Sequence, residues 1–243
     1  DYYKSRLALE TMEKAAELHP ENIPTLLKLS EFQLILTRYE ETLQTLDRVA
    51  KIDPQNEEAF FMLGMTFKEI GDTARAINSF QEAVEIEPRL EDGWLNLGQL
   101  FAAQDNPIAD RYFDNAIRID SSITALHGKA YYLANSQNDL DGALELYRSI
   151  IRKDPQYEEA HFNSGLLYLD QDDPENAKTQ FDLTIQVNPT HVRAYYYRGL
   201  TAELAGNPAA AKSDYEQALR LVEDFEAAQE ALERVNAALA EVQ

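Results

Sequence analysis

A short motif that ends in proline recurs along the chain about every 34 residues. It places a polar residue before proline, or before serine in one copy, at six points: His19-Pro20, Asp53-Pro54, Glu87-Pro88, Asp120-Ser121, Asp154-Pro155 and Asn188-Pro189. A fixed period of this length is typical of repeat architectures, in which each copy is one small unit that stacks on its neighbours. The period therefore predicts an elongating array rather than a single globular core.

The stretch Glu57–Leu90 shows the repeating unit most clearly. Its apolar residues return at helical spacing in two runs, 59–70 and 74–86, which are separated by Gly71-Asp72. The spacing predicts two helices joined by a tight turn. Pro88 should end the second helix, because proline has no N–H to donate to the helical ladder.

Several copies share residue types at equivalent places in this unit. The second helix carries an alanine and, four residues later, an aromatic ring: Ala76 and Phe80, Ala109 and Phe113, Ala143 and Tyr147, Ala177 and Phe181, Ala211 and Tyr215. The first helix carries an early aromatic residue, at Phe60, Trp94 and Tyr195, and then a glycine, in Leu63-Gly64, Leu97-Gly98, Ser164-Gly165 and Arg198-Gly199. We expect the small residues to allow close approach of the two helices and the second-helix ring to fill the space against the next copy.

These residues resemble the tetratricopeptide repeat, a helix-turn-helix unit of 34 residues with the same small, aromatic and proline positions. The resemblance implies an all-α fold, a right-handed superhelical solenoid of antiparallel helix pairs. It divides the chain into an N-terminal helix within residues 1–22, six repeats, and a C-terminal capping helix within residues 226–243. The predicted repeats are 23–56, 57–90, 91–123, 124–157, 158–191 and 192–225.

The two ends of the array need separate interpretation. Tyr3–Leu18 is predicted to be a helix in the second-helix place, either as an N-terminal cap or as part of a repeat that begins before Asp1. A stripe of small apolar residues predicts a final helix, Glu226–Val242, which we interpret as a cap rather than a dimerisation helix. The repeat 91–123 is one residue short in its turn, where Pro107 is suited to open the second helix.

Charge and composition exclude several classes of partner. The chain has 22 basic and 43 acidic residues, a formal net charge of −21, which repels nucleic acid and anionic membrane surfaces. Its apolar runs are far shorter than the ~20 residues that cross a bilayer. We therefore expect a soluble protein that binds no nucleic acid and does not insert into a membrane. The absence of cysteine fits the cytoplasm or an exported bacterial protein, including a periplasmic lipoprotein if a signal preceded residue 1.

The sequence offers little that could carry catalysis. It has no phosphate-binding glycine loop, zinc-protease motif or nucleophile elbow. His127 and His161 stand one period apart and hint at a metal, but they occupy the place of the early aromatic residue and are better explained as substitutes for it. The acidic turn 170–173 lacks the glycine and distant glutamate of a calcium loop. We expect neither enzymatic activity nor a cofactor.

The resemblance also implies where a partner binds. In proteins of this family the first helices line a concave groove that holds an extended peptide or a partner's helix. The central groove places correspond here to Leu27, Glu31, Phe61, Met65, Leu95, Gln99, Gly128, Tyr132, Phe162, Leu166, Tyr196 and Leu200. The flanking places add Glu58, Asp92, Glu159 and Arg193 near the helix starts, and Leu34, Lys68, Ala102, Asn135, Leu169 and Glu203 further along.

The composition of these places indicates the chemistry of the partner. An apolar and aromatic floor with an acidic rim favours a protein or peptide that is apolar with some basic character. For Phe61, Phe162 and Tyr196 the alternative is packing within their own helix pair. The lysine, arginine and asparagine clamp with which some family members hold the acidic tail of heat-shock chaperones is not rebuilt in any three successive repeats, so that ligand is disfavoured.

The sequence therefore predicts a non-catalytic scaffold for protein interactions. A second interpretation is a structural module that self-associates through its terminal helices. We expect a monomer or a weak homo-oligomer.

Overall fold

The computed structural model describes residues 2–241, and this part of the chain contains fourteen α-helices and no strand. The helices are α1 (Tyr2–Leu18), α2 (Ile23–Ile35), α3 (Tyr39–Ile52), α4 (Glu57–Glu69), α5 (Thr73–Ile86), α6 (Glu91–Ala102), α7 (Ala109–Ile119), α8 (Ile123–Asn135), α9 (Leu140–Lys153), α10 (Glu158–Asp170), α11 (Pro174–Val187), α12 (Val192–Leu204), α13 (Pro208–Leu221) and α14 (Glu226–Glu241). None of them combines the length and the apolar character that a membrane span requires.

The chain folds as two compact units, Asp1–Ala125 and Leu126–Gln243, called here the N-terminal and C-terminal units. From α1 to α7 and from α9 to α14, helices that follow one another in the sequence pack side by side. The rings of His127 on α8 and Tyr147 on α9 are also in contact. The even-numbered helices α2 to α12 are the first helices of the pairs, and the odd-numbered helices α3 to α13 are the second helices. The expected fold, an all-α solenoid of antiparallel helix pairs, is thereby confirmed within each unit.

The turn inside each helix pair requires one residue with a positive φ angle. Glycine fills this place twice, with φ of 80° at Gly71 and 73° at Gly206. Thr37, Asp105, Asn138 and Asp172 hold the same place in the other pairs, with φ between 52° and 58°. After the turn, an Asp or Asn side chain caps the second helix by accepting a hydrogen bond from a backbone N–H three residues on, as at Asp72, Asp139, Asp173 and Asn207.

In four of the helix pairs, the core contains a contact between a first-helix glycine and a second-helix ring. A Cβ atom added to Gly64 would lie 2.7 Å from the ring of Phe80. The same contact recurs between Gly98 and Phe113, Gly165 and Phe181, and Gly199 and Tyr215. The Phe80 ring also belongs to one buried cluster with Leu97 of the next pair, so it packs both within its pair and between pairs.

The α6–α7 pair differs from the others at its shortened turn. α7 begins at Ala109 and has 11 residues, whereas α5 has 14. Pro107 therefore lies ahead of the helix, unlike Pro174 and Pro208, which are the first residues of α11 and α13. The N–H groups of Ala109 and Arg111 donate to carbonyls three residues earlier, at 3.0 and 3.1 Å, so this entry has the tighter 3₁₀ pattern.

The final helix is attached by buried alanines and by one ion pair. Ala228, Ala231 and Val235 are buried. Arg234 donates from Nε and Nη2 to the two carboxylate oxygens of Glu203 on α12, at 2.7 and 2.9 Å. Val242, which completes the predicted stripe, lies outside the described residues.

Candidate functional site

The first helices of each unit lie next to one another. In the N-terminal unit, Lys68 of α4 reaches α6, where its Nζ donates to Asn96 Oδ1 at 2.7 Å. In the C-terminal unit, Asn163 of α10 contacts His127 of α8, with Nδ2 and Nε2 3.3 Å apart. We call the side of each unit on which neighbouring first helices meet, and on which the groove places are predicted, the first-helix face.

The predicted groove residues differ widely in exposure. Leu27, Leu95, Tyr132 and Phe162 are buried, with 8, 5, 2 and 5% of their surface exposed. The half-buried residues are Glu31, Phe61, Met65, Gly128, Leu166, Tyr196 and Leu200, and the exposed ones are Gln99 and Arg193. The first group holds the fold together, so a ligand on this face would meet mainly the second and third groups.

Three aromatic residues at the central places pack against the second helix of their own pair. Ring centroids are 5.6 Å apart for Phe61 and Phe80, 5.9 Å for Phe162 and Phe181, and 5.8 Å for Tyr196 and Tyr215. Separations of this size are typical of favourable aromatic pairs. These three rings thus have a packing role, whatever else they contact.

A cavity of about 350 Å³ opens on the first-helix face of the C-terminal unit. Its lining comes from α8, α9, α10 and the start of α12: Tyr131, Ala134, Asn135, Tyr147, Phe162, Asn163, Leu166, Leu167, Asp170 and Arg193. The volume lies within the range of pockets that hold small ligands or side chains. Apolar groups form part of the wall, and two amides and two charged groups complete it.

Arg193 stands at the edge of this cavity as an exposed cation stacked on aromatic rings. Its guanidinium carbon lies 5.0 Å from the centroid of Phe162 and 5.8 Å from that of Tyr197. The rings support the guanidinium through their π faces without neutralising its charge. Among the side chains that the structure describes, those of residues 6–240, no carboxylate forms an ion pair with Arg193.

Two lining residues of the cavity, Tyr147 and Asn163, form a polar cluster with His127. The centroid of the His127 ring lies 5.7 Å from that of Tyr147 in an edge-on arrangement. Burial lowers the pKa of His127, and the charge of Glu159 opposes this shift more weakly. Burial also raises the pKa of the Tyr147 hydroxyl, against the smaller opposing effect of its hydrogen bond with Asn163. The lowered pKa favours the neutral form of the His127 ring.

His161 lies in a separate environment from His127. It is buried, with Nδ1 3.0 Å from Gln180 Oε1 and Nε2 3.1 Å from the carbonyl oxygen of Pro155. The two histidines are thus engaged by different partners. In the part of the chain that the structure describes, no three His, Cys, Asp or Glu side chains are grouped as metal ligands would be.

Comparison with known families agrees with this architecture. One tetratricopeptide repeat model matches residues 134–204, and a second matches residues 57–90 and 192–221. The chain is a tetratricopeptide repeat protein. Proteins of this family are generally non-catalytic scaffolds for protein interactions. No curated protein sequence gives a significant match to the chain.

Solved structures of other tetratricopeptide repeat proteins share its fold. The C-terminal part of a repeat-containing protein from Cytophaga hutchinsonii superposes with a TM-score of 0.79 at 16% identity, covering 94% of this chain and 95% of that one. The type IV pilus biogenesis factor PilW gives 0.72 at 18% identity, covering 86% and 98%. YrrB, described as having an unusual peptide-binding site, gives 0.64 at 16% identity, covering 76% and 96%. At such identities the likeness shows the fold alone.

In this tetratricopeptide repeat protein, the cavity brings together only part of the predicted site. Phe162, Leu166 and Arg193 line it, together with Asn135 from the flanking places. Tyr147, Asn163 and Asp170 were not predicted. A signal for Asn163 was available, because Asn96 holds the equivalent place two repeats earlier. No such signal exists for Tyr147, which reaches the cavity from a second helix.

Proposed function

We propose that this protein is a non-catalytic scaffold that binds a partner peptide or helix on its first-helix faces. An apolar side chain of the partner enters the cavity of the C-terminal unit. The observation that carries this proposal is the cavity itself, about 350 Å³ in volume and lying among the groove places of α8, α10 and α12. Each first-helix face then acts as part of the groove that the family resemblance implies.

The chemistry of the cavity suits one apolar side chain and its main chain. Leu166 and the edges of Phe162 and Tyr147 offer apolar surface. Burial of a leucine-sized side chain there contributes about 2 kcal/mol. The amide nitrogens of Asn135 and Asn163 face partners inside the protein, the Tyr131 carbonyl oxygen at 2.8 Å and His127 Nε2 at 3.3 Å. Their amide oxygens can accept hydrogen bonds from the N–H groups of an extended peptide.

The overall charge supports a partner with some basic character. The formal net charge is −21, and carboxylates stand in the first turns of several first helices, as Glu58 of α4, Asp92 of α6 and Glu159 of α10 do. Such a field attracts cationic partners and repels polyanions. We infer that the partner is a protein and that nucleic acid does not bind.

An array of short amidated peptides, followed by fluorescence anisotropy of the strongest binders, tests this function. Leu166→Ser removes half-buried apolar surface from the cavity wall and should weaken binding about tenfold. Leu183→Ser is the matched control, because Leu183 is also half-buried but lies on the second helix α11. Equal losses in both variants, or an array without binders, would refute the proposal.

A further inference from the structure

Lys68 on the first-helix face of the N-terminal unit is held by two amide side chains. Its Nζ donates to Asn96 Oδ1 at 2.7 Å and to Gln99 Oε1 at 3.1 Å. The orientation of the Asn96 amide is fixed independently, since its Nδ2 donates to the carbonyl oxygen of Asp92 at 2.8 Å. Asn96 therefore presents oxygen to the ammonium, and the three side chains form a defined polar cluster between α4 and α6.

This half-buried ammonium lacks the carboxylate partner that several other lysines of the chain have. Lys28 pairs with Glu31 at 2.6 Å and Lys178 pairs with Asp182 at 2.7 Å. No carboxylate among the side chains of residues 6–240 pairs with Lys68, although acidic residues outnumber basic ones by 43 to 22 in the sequence. Where carboxylates are this abundant, a half-buried cation matched only by neutral amides is an exception that needs a reason.

The partial burial of Lys68 strengthens the case that its ammonium has a binding role. Lys68 is half-buried, and desolvation lowers its pKa, while the charge of the adjacent Glu69 opposes the shift more weakly. An ammonium has three N–H donors, and the two amide oxygens use two of them. The third N–H has no acceptor among the described residues, so it is available to a ligand.

The surroundings define what that ligand looks like. Phe61 and Met65 precede Lys68 by seven and three residues on α4, so they lie on the same side of this helix and are half-buried. Lys68 is the only basic residue of α4, and α6 has none. The cluster therefore offers one positive charge beside apolar surface.

We propose that Lys68, Asn96 and Gln99 form a receptor for one side-chain carboxylate, an aspartate or glutamate flanked by apolar residues in the partner segment. The Lys68 ammonium donates its remaining N–H to the carboxylate, and the Gln99 amide nitrogen donates a second hydrogen bond. This inference rests on the proposed function and refines it, because the partner then carries an acid at one defined point of an otherwise apolar and basic segment. A single charge suits an internal acidic side chain better than an acidic chain end, which carries two carboxylates.

The test uses amidated peptides in pairs that differ only by Asp against Asn or Glu against Gln, next to apolar residues, with a third arm that carries a free C-terminal carboxylate. We expect the wild-type protein to prefer the acidic member about tenfold, as charge-assisted hydrogen bonds allow. Lys68→Met should abolish this preference and leave the affinity for the neutral peptides unchanged. Lys51→Met, which removes an exposed lysine from the second helix α3, should retain the preference and controls for net charge.

A second variant, Gln99→Glu, tests the carboxylate receptor even if Lys68→Met does not fold. Gln99 is exposed, so Gln99→Glu should fold, and its carboxylate would occupy the ammonium and remove the preference as well. Equal binding of acidic and neutral peptides by the wild-type protein, or a preference that survives in the folded variants, would overturn the carboxylate receptor. If the neutral peptides still bind in a Leu166-dependent way, the proposed function stands without it. Strong preference for the free chain end over the internal acid would also overturn it, and absence of all peptide binding would overturn both.

Discussion

Arg198 of α12 forms a bidentate ion pair with Asp214 of α13, donating from Nε to Oδ2 at 2.9 Å and from Nη2 to Oδ1 at 2.6 Å. Its Nη1 also donates to Asp182 Oδ1 of α11 at 2.6 Å. One guanidinium thereby connects three helices. Hydrogen bonds to Asp214 are the main reason that the pKa of Arg198 is raised. Arg198 has the place that Leu63 and Leu97 hold in other pairs, so an ion pair substitutes here for apolar packing.

Removal of this arginine should destabilise the C-terminal unit strongly. The side chains of Arg198 and Asp214 are only 23 and 12% exposed, so Arg198→Leu leaves a carboxylate without its partner in a largely dry site. We expect a loss of about 3 kcal/mol in the free energy of unfolding, measured by urea denaturation. Adding Asp214→Asn should recover most of the loss, because leucine is the residue of the equivalent places. A double variant as unstable as the single one would contradict the explanation.

Contacts between glycine and aromatic rings should make the first helices intolerant of even a methyl group. A Cβ at Gly98 would lie 2.9 Å from the ring of Phe113, so Gly98→Ala should cost about 1 to 3 kcal/mol despite the better helix propensity of alanine. Phe113→Leu makes room, and the double variant should be more stable than the sum of the two single effects predicts. Thermal or urea unfolding of all four proteins checks this coupling. Strict additivity would show that the contact is not the cause.

The helix pairs could be predicted because their signals are local and repeated. The residues that specify a pair, such as Gly64 and Phe80, recur in register, so one ambiguous copy is supported by the others. Residue exposure on the first-helix face was harder to predict. Phe162 and Arg193 both stand at groove places, yet one is buried beneath the other, since the ring lies under the guanidinium.

The side-chain contacts between helices could not be predicted from the sequence. The Lys68 ammonium was assigned to a flanking place, but its amide partners on α6 depend on the spacing of α4 and α6. Likewise, Arg198 reads as a departure from the Leu-Gly pattern until its carboxylate partners are seen. Periodicity specifies which face a residue occupies, whereas its charge partners follow from the tertiary arrangement.

His127 should make stability depend on pH in a defined window. Its pKa lies below the ordinary value of 6.5 in the fold, so the unfolded chain binds a proton at a higher pH than the folded protein does. Stability should consequently fall as the pH drops from about 6.5 towards the lowered pKa, and be restored above 6.5. In the folded state, Asn163 Nδ2 faces His127 Nε2 at 3.3 Å, an arrangement that suits an unprotonated acceptor nitrogen.

The measurement compares urea midpoints at pH 5.5 and 7.5. His127→Phe places the aromatic type of the equivalent residue Phe60 at this position and removes the titration. Its difference between the two pH values should be smaller than that of the wild-type protein. The same difference in both proteins would mean that other groups cause the pH dependence.

The turn between α2 and α3 should be the most strained of the turns inside the helix pairs, because its positive-φ residue is Thr37. Thr37 adopts a φ of 58°, in the place where Gly71 and Gly206 have positive φ without a side chain. Threonine is branched at Cβ, so the positive φ angle costs about 1 to 2 kcal/mol of stability. Replacement by glycine removes this strain, and only part of the gain is lost to the greater conformational freedom of glycine in the unfolded chain. The hydrogen bond from Thr37 Oγ1 to the Leu36 carbonyl, at 2.7 Å, is exposed and offsets little of the cost. Thr37→Gly should therefore raise the free energy of unfolding by about 0.5 to 1 kcal/mol, and the reciprocal Gly71→Thr should lower it by a similar amount, both followed by urea denaturation. If Thr37→Gly were destabilising, the threonine would have to be held by contacts stronger than the strain of its backbone.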